Sequence, residues 1–182
     1  MVFKEIAGYY DYVYLHSKEL FNHSTLVVTG KFAPNSRSMV VNEGGEPSVV
    51  TYYEFFIDDV LKGTYDEKRV EVFAAGGTTT VAEYMSKASL NQWVAAGLKN
   101  VGSKEVPSFQ KDGQSVGQQL IKYSLKDQFN LETSKKFLLF LGLQNTKEYR
   151  ILGDQWGALV IMNDSITNSI DNTVLKITEL AK

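Results

Sequence analysis

The chain has 182 residues, of which 43% are apolar and 22% charged, the balance of a globular domain large enough to bury a core without staples. Its formal net charge of −2, with both signs interspersed, lacks the basic excess typical of phosphate-binding surfaces. The absence of cysteine excludes disulfides, thiolate zinc sites and a cysteine nucleophile.

No apolar run reaches the 18 residues of a membrane-spanning helix, so none is expected. Met1-Val2-Phe3-Lys4-Glu5 has no basic segment followed by an apolar stretch, so no signal peptide is read in this chain. An exported protein whose signal has been removed fits that start. A native start at Met1 would count heavily against export and leave a cytoplasmic setting open.

In chain order, residues 9–21 come first. Tyr10, Val13, Tyr14, Ser17, Leu20 and Phe21 recur at three- and four-residue spacing, which predicts an amphipathic helix ended by Asn22-His23-Ser24. Residues 25–32 are β-branched and bounded by turn formers, and predict a strand with Gly30 at a bulge or bend. Met39-Val40-Val41 continue or rejoin it beyond Pro34, and residues 42–47 form a loop. Residues 49–61 give the strongest strand. Tyr53, Phe55, Ile57 and Leu61 face the core, while Tyr52, Glu54, Phe56, Asp58 and Val60 face solvent or a partner. Residues 69–74 form a third strand with Val70 and Val72 inward.

Residues 78–135 read as an insertion. Thr80-Val81-Ala82-Glu83 and Ser89-Leu90-Asn91-Gln92 match the capping box and predict two short helices, the second packing Trp93 inward. Residues 99–117 read as a long loop, and residues 120–129 fit either strand or helix. The run Lys136-Phe137-Leu138-Leu139-Phe140-Leu141-Gly142-Leu143 predicts a strand covered on both faces. Residues 149–152 and 157–161 read as one final strand interrupted at residues 153–156, followed by a short C-terminal helix.

These elements predict a mainly β protein with minor α content. The expected architecture is a single domain over residues 1–182, a five-stranded antiparallel OB-like barrel. It carries an N-terminal helix and a helical insertion between its third and fourth strands.

Three segments carry a family resemblance. Ser24-Thr25-Leu26-Val27-Val28-Thr29-Gly30-Lys31 is similar to the first strand of netrin-like domains, the group that contains tissue inhibitors of metalloproteinases. Tyr53-Glu54-Phe55-Phe56-Ile57-Asp58-Asp59-Val60-Leu61-Lys62-Gly63, followed by Val70-Glu71-Val72, resembles its later strands, and Lys135 to Leu141 resembles its fourth. The pattern also resembles small exported or surface-anchored proteins of Gram-positive bacteria. The resemblance implies an OB barrel in an exported, cell-surface or lipid-anchored setting. The inhibitors' zinc-binding N-terminal cysteine has no counterpart here, so inhibition is not implied.

Chemistry-bearing motifs are sparse. His16 and His23 are seven apart, not four as in helical zinc pairs, and no metal site is read. Glu54 and Asp58 share a strand face at about 13 Å, long for an acid–base pair. No Gly-x-Ser-x-Gly elbow or phosphate loop occurs, so no catalytic residue and no cofactor is assigned. The candidate binding residues are Tyr52, Glu54 and Phe56 on the non-core face of the second strand, with Trp156 in the broken final strand. The N-terminal helix or the insertion is the competing cover for Tyr52 and Phe56. The expected function is a non-enzymatic exported or surface domain that binds a protein or envelope ligand. An intracellular single-strand nucleic-acid binder is the first alternative, opposed by Glu54 and Asp58, and a hydrolase with an unrecognised site is the second.

Overall fold

The computed structural model describes residues 2–6, 17–43, 46–89, 99–100, 108–111, 114–125, 133–144, 148–153, 157–168 and 172–180. The protein is mainly β. Its described residues hold fourteen strands and two short α-helices. Two compact units are resolved by their internal packing.

The larger unit is built from residues 8–37, 52–74 and 127–182. Helix α1 (Ser17–His23) precedes the long strands β2 (Leu26–Glu43) and β3 (Glu46–Lys62), each of which contributes residues to both units, then β4 (Arg69–Ala75). Strands β10 (Phe137–Leu143), β11 (Tyr149–Ile151), β12 (Ala158–Met162), β13 (Ser165–Thr167) and β14 (Val174–Lys176) follow, with a 3-10 turn at Ile177–Glu179. The eight-stranded sheet runs β11-β4-β3-β2-β10-β12-β13-β14, and β11 makes a further pairing with β10. Strand β11 lies parallel to β4, with Tyr149 opposite Val72, and antiparallel to β10, with Ile151 opposite Leu141.

Residues 137–141 of β10 are apolar at every position because both faces are covered there. Phe137, Leu139 and Leu141 join Leu26, Val28, Phe32, Phe55, Val70, Val72 and Ile151 in one cluster. Leu138 and Phe140 join Val27, Leu20, Leu159, Ile166 and Leu180 in another. Helix α1 therefore packs on the second cluster. Its C-terminal carbonyls at Phe21 and Asn22 accept hydrogen bonds from Lys62 Nζ at 2.6 and 2.9 Å. That ammonium satisfies acceptors that have no partner within the helix.

The smaller unit is built from residues 1–7, 38–51 and 75–126. Strand β1 (Val2–Ile6) pairs in parallel with β9 (Leu120–Leu125), which pairs antiparallel with β5 (Gly77–Thr80). A second three-stranded sheet joins β6 (Lys99–Asn100), β7 (Phe109–Lys111) and β8 (Gln114–Ser115). Helix α2 (Val81–Ser86) contributes Val81, Tyr84 and Met85 to a core shared with Val40, Val49, Phe109, Val116 and Ile121. Thr80 Oγ1 accepts from the Glu83 N–H at 3.1 Å, the predicted cap. The Glu83 carboxylate does not reach back to the cap backbone; it accepts from the Thr79 hydroxyl at 2.7 Å. Thr80→Ala should cost about 1 kcal/mol, read as a lower urea midpoint; an unchanged midpoint would contradict the cap.

Several expectations are corrected. The main sheet holds eight strands, and its β4–β11 pair is parallel where antiparallel pairing was expected. Beside the expected helix α2, the described part of the insertion also holds strands β6 to β9. Residues 99–117 are not a plain loop but contain β6, β7 and β8. Residues 120–125 resolve to strand β9. The final strand is two strands, β11 and β12, each paired independently with β10. The C-terminal helix is a three-residue 3-10 turn preceded by β14. Strand β2 continues through Pro34, whose missing donor is tolerated at an exposed position. The first part of the predicted N-terminal helix and the helix after Ser89 fall outside the described residues.

Candidate functional site

Alternation along β3 sets the site. Phe55 and Ile57 enter the first core cluster, and Tyr53 packs against it. Tyr52, Glu54 and Phe56 therefore occupy the opposite face. The alternation breaks further on: Leu61 packs with the second cluster, not the first. Over the same stretch Lys136 Nζ lies 3.0 Å from an Asp58 oxygen and 4.0 Å from an Asp59 oxygen. Two adjacent carboxylates facing one ammonium are incompatible with a strict period of two.

Phe56 is left exposed. Helix α1 packs on the β10 side, and the Phe56 ring is 47% exposed. Tyr52 is half-buried. Its ring lies 5.4 Å from that of Phe73 on β4, and the Arg37 guanidinium of β2 sits over it at 4.3 Å. Arg37 also pairs with Glu71 at 2.9 Å, and Arg69 pairs with Glu54 at 3.1 Å. Both pairs are exposed, so each contributes about 0–1 kcal/mol and weakens with salt. Trp156 lies outside the described residues.

Glu54 also lines a groove of about 690 Å³, together with Tyr65, Glu67, Arg69, Glu71 and Tyr149. The Tyr65 and Tyr149 rings meet edge to face at 5.9 Å and pack against the first core cluster. Tyr65 donates its hydroxyl to the Arg69 carbonyl at 3.2 Å. Burial, then the Glu67 carboxylate and Tyr149, push the Tyr65 phenol above its ordinary value of 10.0. A pKa raised on folding means that the folded protein holds this proton more tightly. The associated stability is complete below the unfolded value and is lost as pH rises through the folded one. Alkaline absorbance titration should show a late-titrating tyrosine that disappears in Tyr65→Phe; an unchanged curve would contradict the shift.

A second concavity of about 510 Å³ is lined by Thr29, Asp59, Lys136, Asn163, Asp164 and Lys176, among others. Its charges are balanced, and Asp59 accepts from the Thr29 hydroxyl at 3.3 Å. Among the described residues, no three His, Asp or Glu side chains converge as a metal site. His23 ends α1 exposed. His16 lies outside the described residues.

The sequence brought Tyr52, Glu54 and Phe56 to one face but missed Arg37, Arg69, Glu71, Tyr65 and Tyr149. Arg69 and Glu71 were legible, because they alternate with the inward Val70. Tyr149 was not, because only the parallel β4–β11 pairing brings it to the groove.

No family model, no curated protein and no solved structure compared with this chain gives a match.

Proposed function

We propose that this chain is a non-enzymatic binding domain that engages a protein ligand through the outer face of β3 and β4. The observation that carries this reading is Phe56, uncovered beside the Arg37–Tyr52–Phe73 stack and framed by two exposed ion pairs. Aromatic and arginine anchors ringed by polar groups are the composition of protein-binding surfaces. The carboxylates of Glu54, Glu67 and Glu71 disfavour a phosphate backbone.

The scaffold is read as a five-strand OB-type barrel of β2, β3, β4, β11 and β10, a netrin-like arrangement. It is supported by a cycle of pairings: β2 with β3, β3 with β4, β4 with β11, β11 with β10, and β10 with β2. OB barrels bind their ligands on the face of strands two and three, here β3 and β4. The netrin-like resemblance further suggests an exported or surface-associated setting. An upstream signal sequence in the native gene would support that setting, and a native start at Met1 would contradict it.

The test is a random-peptide array probed with the folded protein and with Phe56→Ala and Tyr52→Ala. The proposal expects binders whose signal falls about tenfold or more in these variants. Binders insensitive to both substitutions would overturn it. So would a salt-sensitive complex with a single-stranded oligonucleotide.

A further inference from the structure

We propose that the Tyr65–Tyr149 groove takes the guanidinium of an arginine side chain presented by a peptide ligand. The inference rests on the protein-binding reading above and adds the chemistry of one subsite.

The groove combines two features that suit a planar cation. Its wall is aromatic: the Tyr65 and Tyr149 rings stand edge to face at 5.9 Å, partly buried against the core and so held in place. A guanidinium is weakly hydrated and stacks on such faces. Its rim is acidic: Glu54, Glu67 and Glu71 face a single cation, Arg69, among the lining residues. Arg37 offsets Glu71 from outside that lining, and Arg69 offsets Glu54. Glu67 makes no ion pair among the described residues and lies near enough to the Tyr65 phenol to act on its proton affinity. An incoming guanidinium can meet Glu67 with its fork of donors while it stacks on a ring.

Arg69 then acts as a resident competitor. Its side chain is 68% exposed, so its bond to Glu54 is weak and exchangeable. Removing Arg69 leaves a more acidic groove and should strengthen binding, whereas removing the Glu67 charge should weaken it. Opposite signs from two exposed neighbours are hard to obtain from general destabilisation.

The experiment uses the full chain, isotope-labelled, titrated at low salt with Gly-Arg-Gly amide and with Gly-Gln-Gly amide. Expected are amide shift changes centred on Tyr65, Glu67 and Tyr149 with the arginine peptide alone, reduced by added salt. Glu67→Gln should weaken binding about fivefold and Tyr149→Ala comparably, and Arg69→Ala should tighten it severalfold. Equal shifts with the glutamine peptide, shifts confined to Tyr52 and Phe56, no shifts at all, or choline binding in place of arginine would each overturn the proposal. Peptide binding through Phe56 that ignores peptide charge would overturn the groove alone and leave the binding face standing. Loss of array binders in every form would remove both.

Discussion

Phe55→Ala should cost about 3–5 kcal/mol, whereas its neighbour Phe56→Ala should stay within about 0.5 kcal/mol. The two residues are chemically identical and adjacent, so only the face of β3 separates them. Phe55 is 0% exposed, and its ring meets that of Phe32 at 4.9 Å, nearly perpendicular. Phe32 in turn meets Phe137 at 5.1 Å and Tyr53 at 5.6 Å, so truncating Phe55 opens a void in a linked set of rings. Such voids collapse poorly, and the lost contacts add to the lost transfer energy. A domain with about 5–15 kcal/mol of stability would lose a large share of it. Phe56 has little to lose on folding, which is what a binding surface requires. Urea denaturation of the two variants decides the matter. Comparable losses would mean that Phe56 is covered and the proposed site is wrong.

Gly30→Ala should be strongly damaging for a single added methyl, at about 3 kcal/mol or more, the upper end of overpacking. A Cβ at Gly30 would overlap the Phe56 carbonyl oxygen on the adjacent β3 and lie 2.9 Å from Phe55 Cε1. The first obstacle is backbone and cannot rotate away, so β2 and β3 would have to separate. Gly117 provides the control: a Cβ there meets only the Ala82 methyl, at 3.5 Å, which is ordinary contact. Thermal unfolding should show a large drop for Gly30→Ala and little change for Gly117→Ala. Matching curves would refute the close approach of the two strands. Because Gly30 supports the backbone beneath Phe56, Gly30→Ala should also impair peptide binding where the protein remains folded.

The parts legible in the sequence were those whose burial is dictated locally. Phe137 to Leu141 read as a strand covered on both faces because five consecutive apolar side chains leave no polar face. Tyr52, Glu54 and Phe56 read as a shared outward face because the alternation from Tyr52 to Ile57 is regular. Thr80 announced α2 through its cap. Other elements fell below the resolution of periodicity. Strands β6, β7, β8, β11 and β13 have two or three residues each, too few to display a period. Thr78, Thr79 and Thr80 served two roles, as β-branched strand residues in β5 and as the lead-in to a helix. The groove was the least legible feature. Tyr65 and Tyr149 are 84 positions apart in the sequence, and the long-range parallel pairing of Val72 with Tyr149 leaves no local trace.

The proposed OB-type barrel depends on β11 joining β4 to β10, since β3, β4 and Tyr149 must share one rigid scaffold for the binding face and the groove to form as described. Cross-strand NOEs on the isotope-labelled protein test this directly. Contacts are expected between Val72 and Tyr149 and between Phe73 and Arg150, in the pattern of a parallel pair, together with contacts between Leu141 and Ile151. Contacts from β11 to β10 alone, with none to β4, would leave the cycle of strands open and contradict the account.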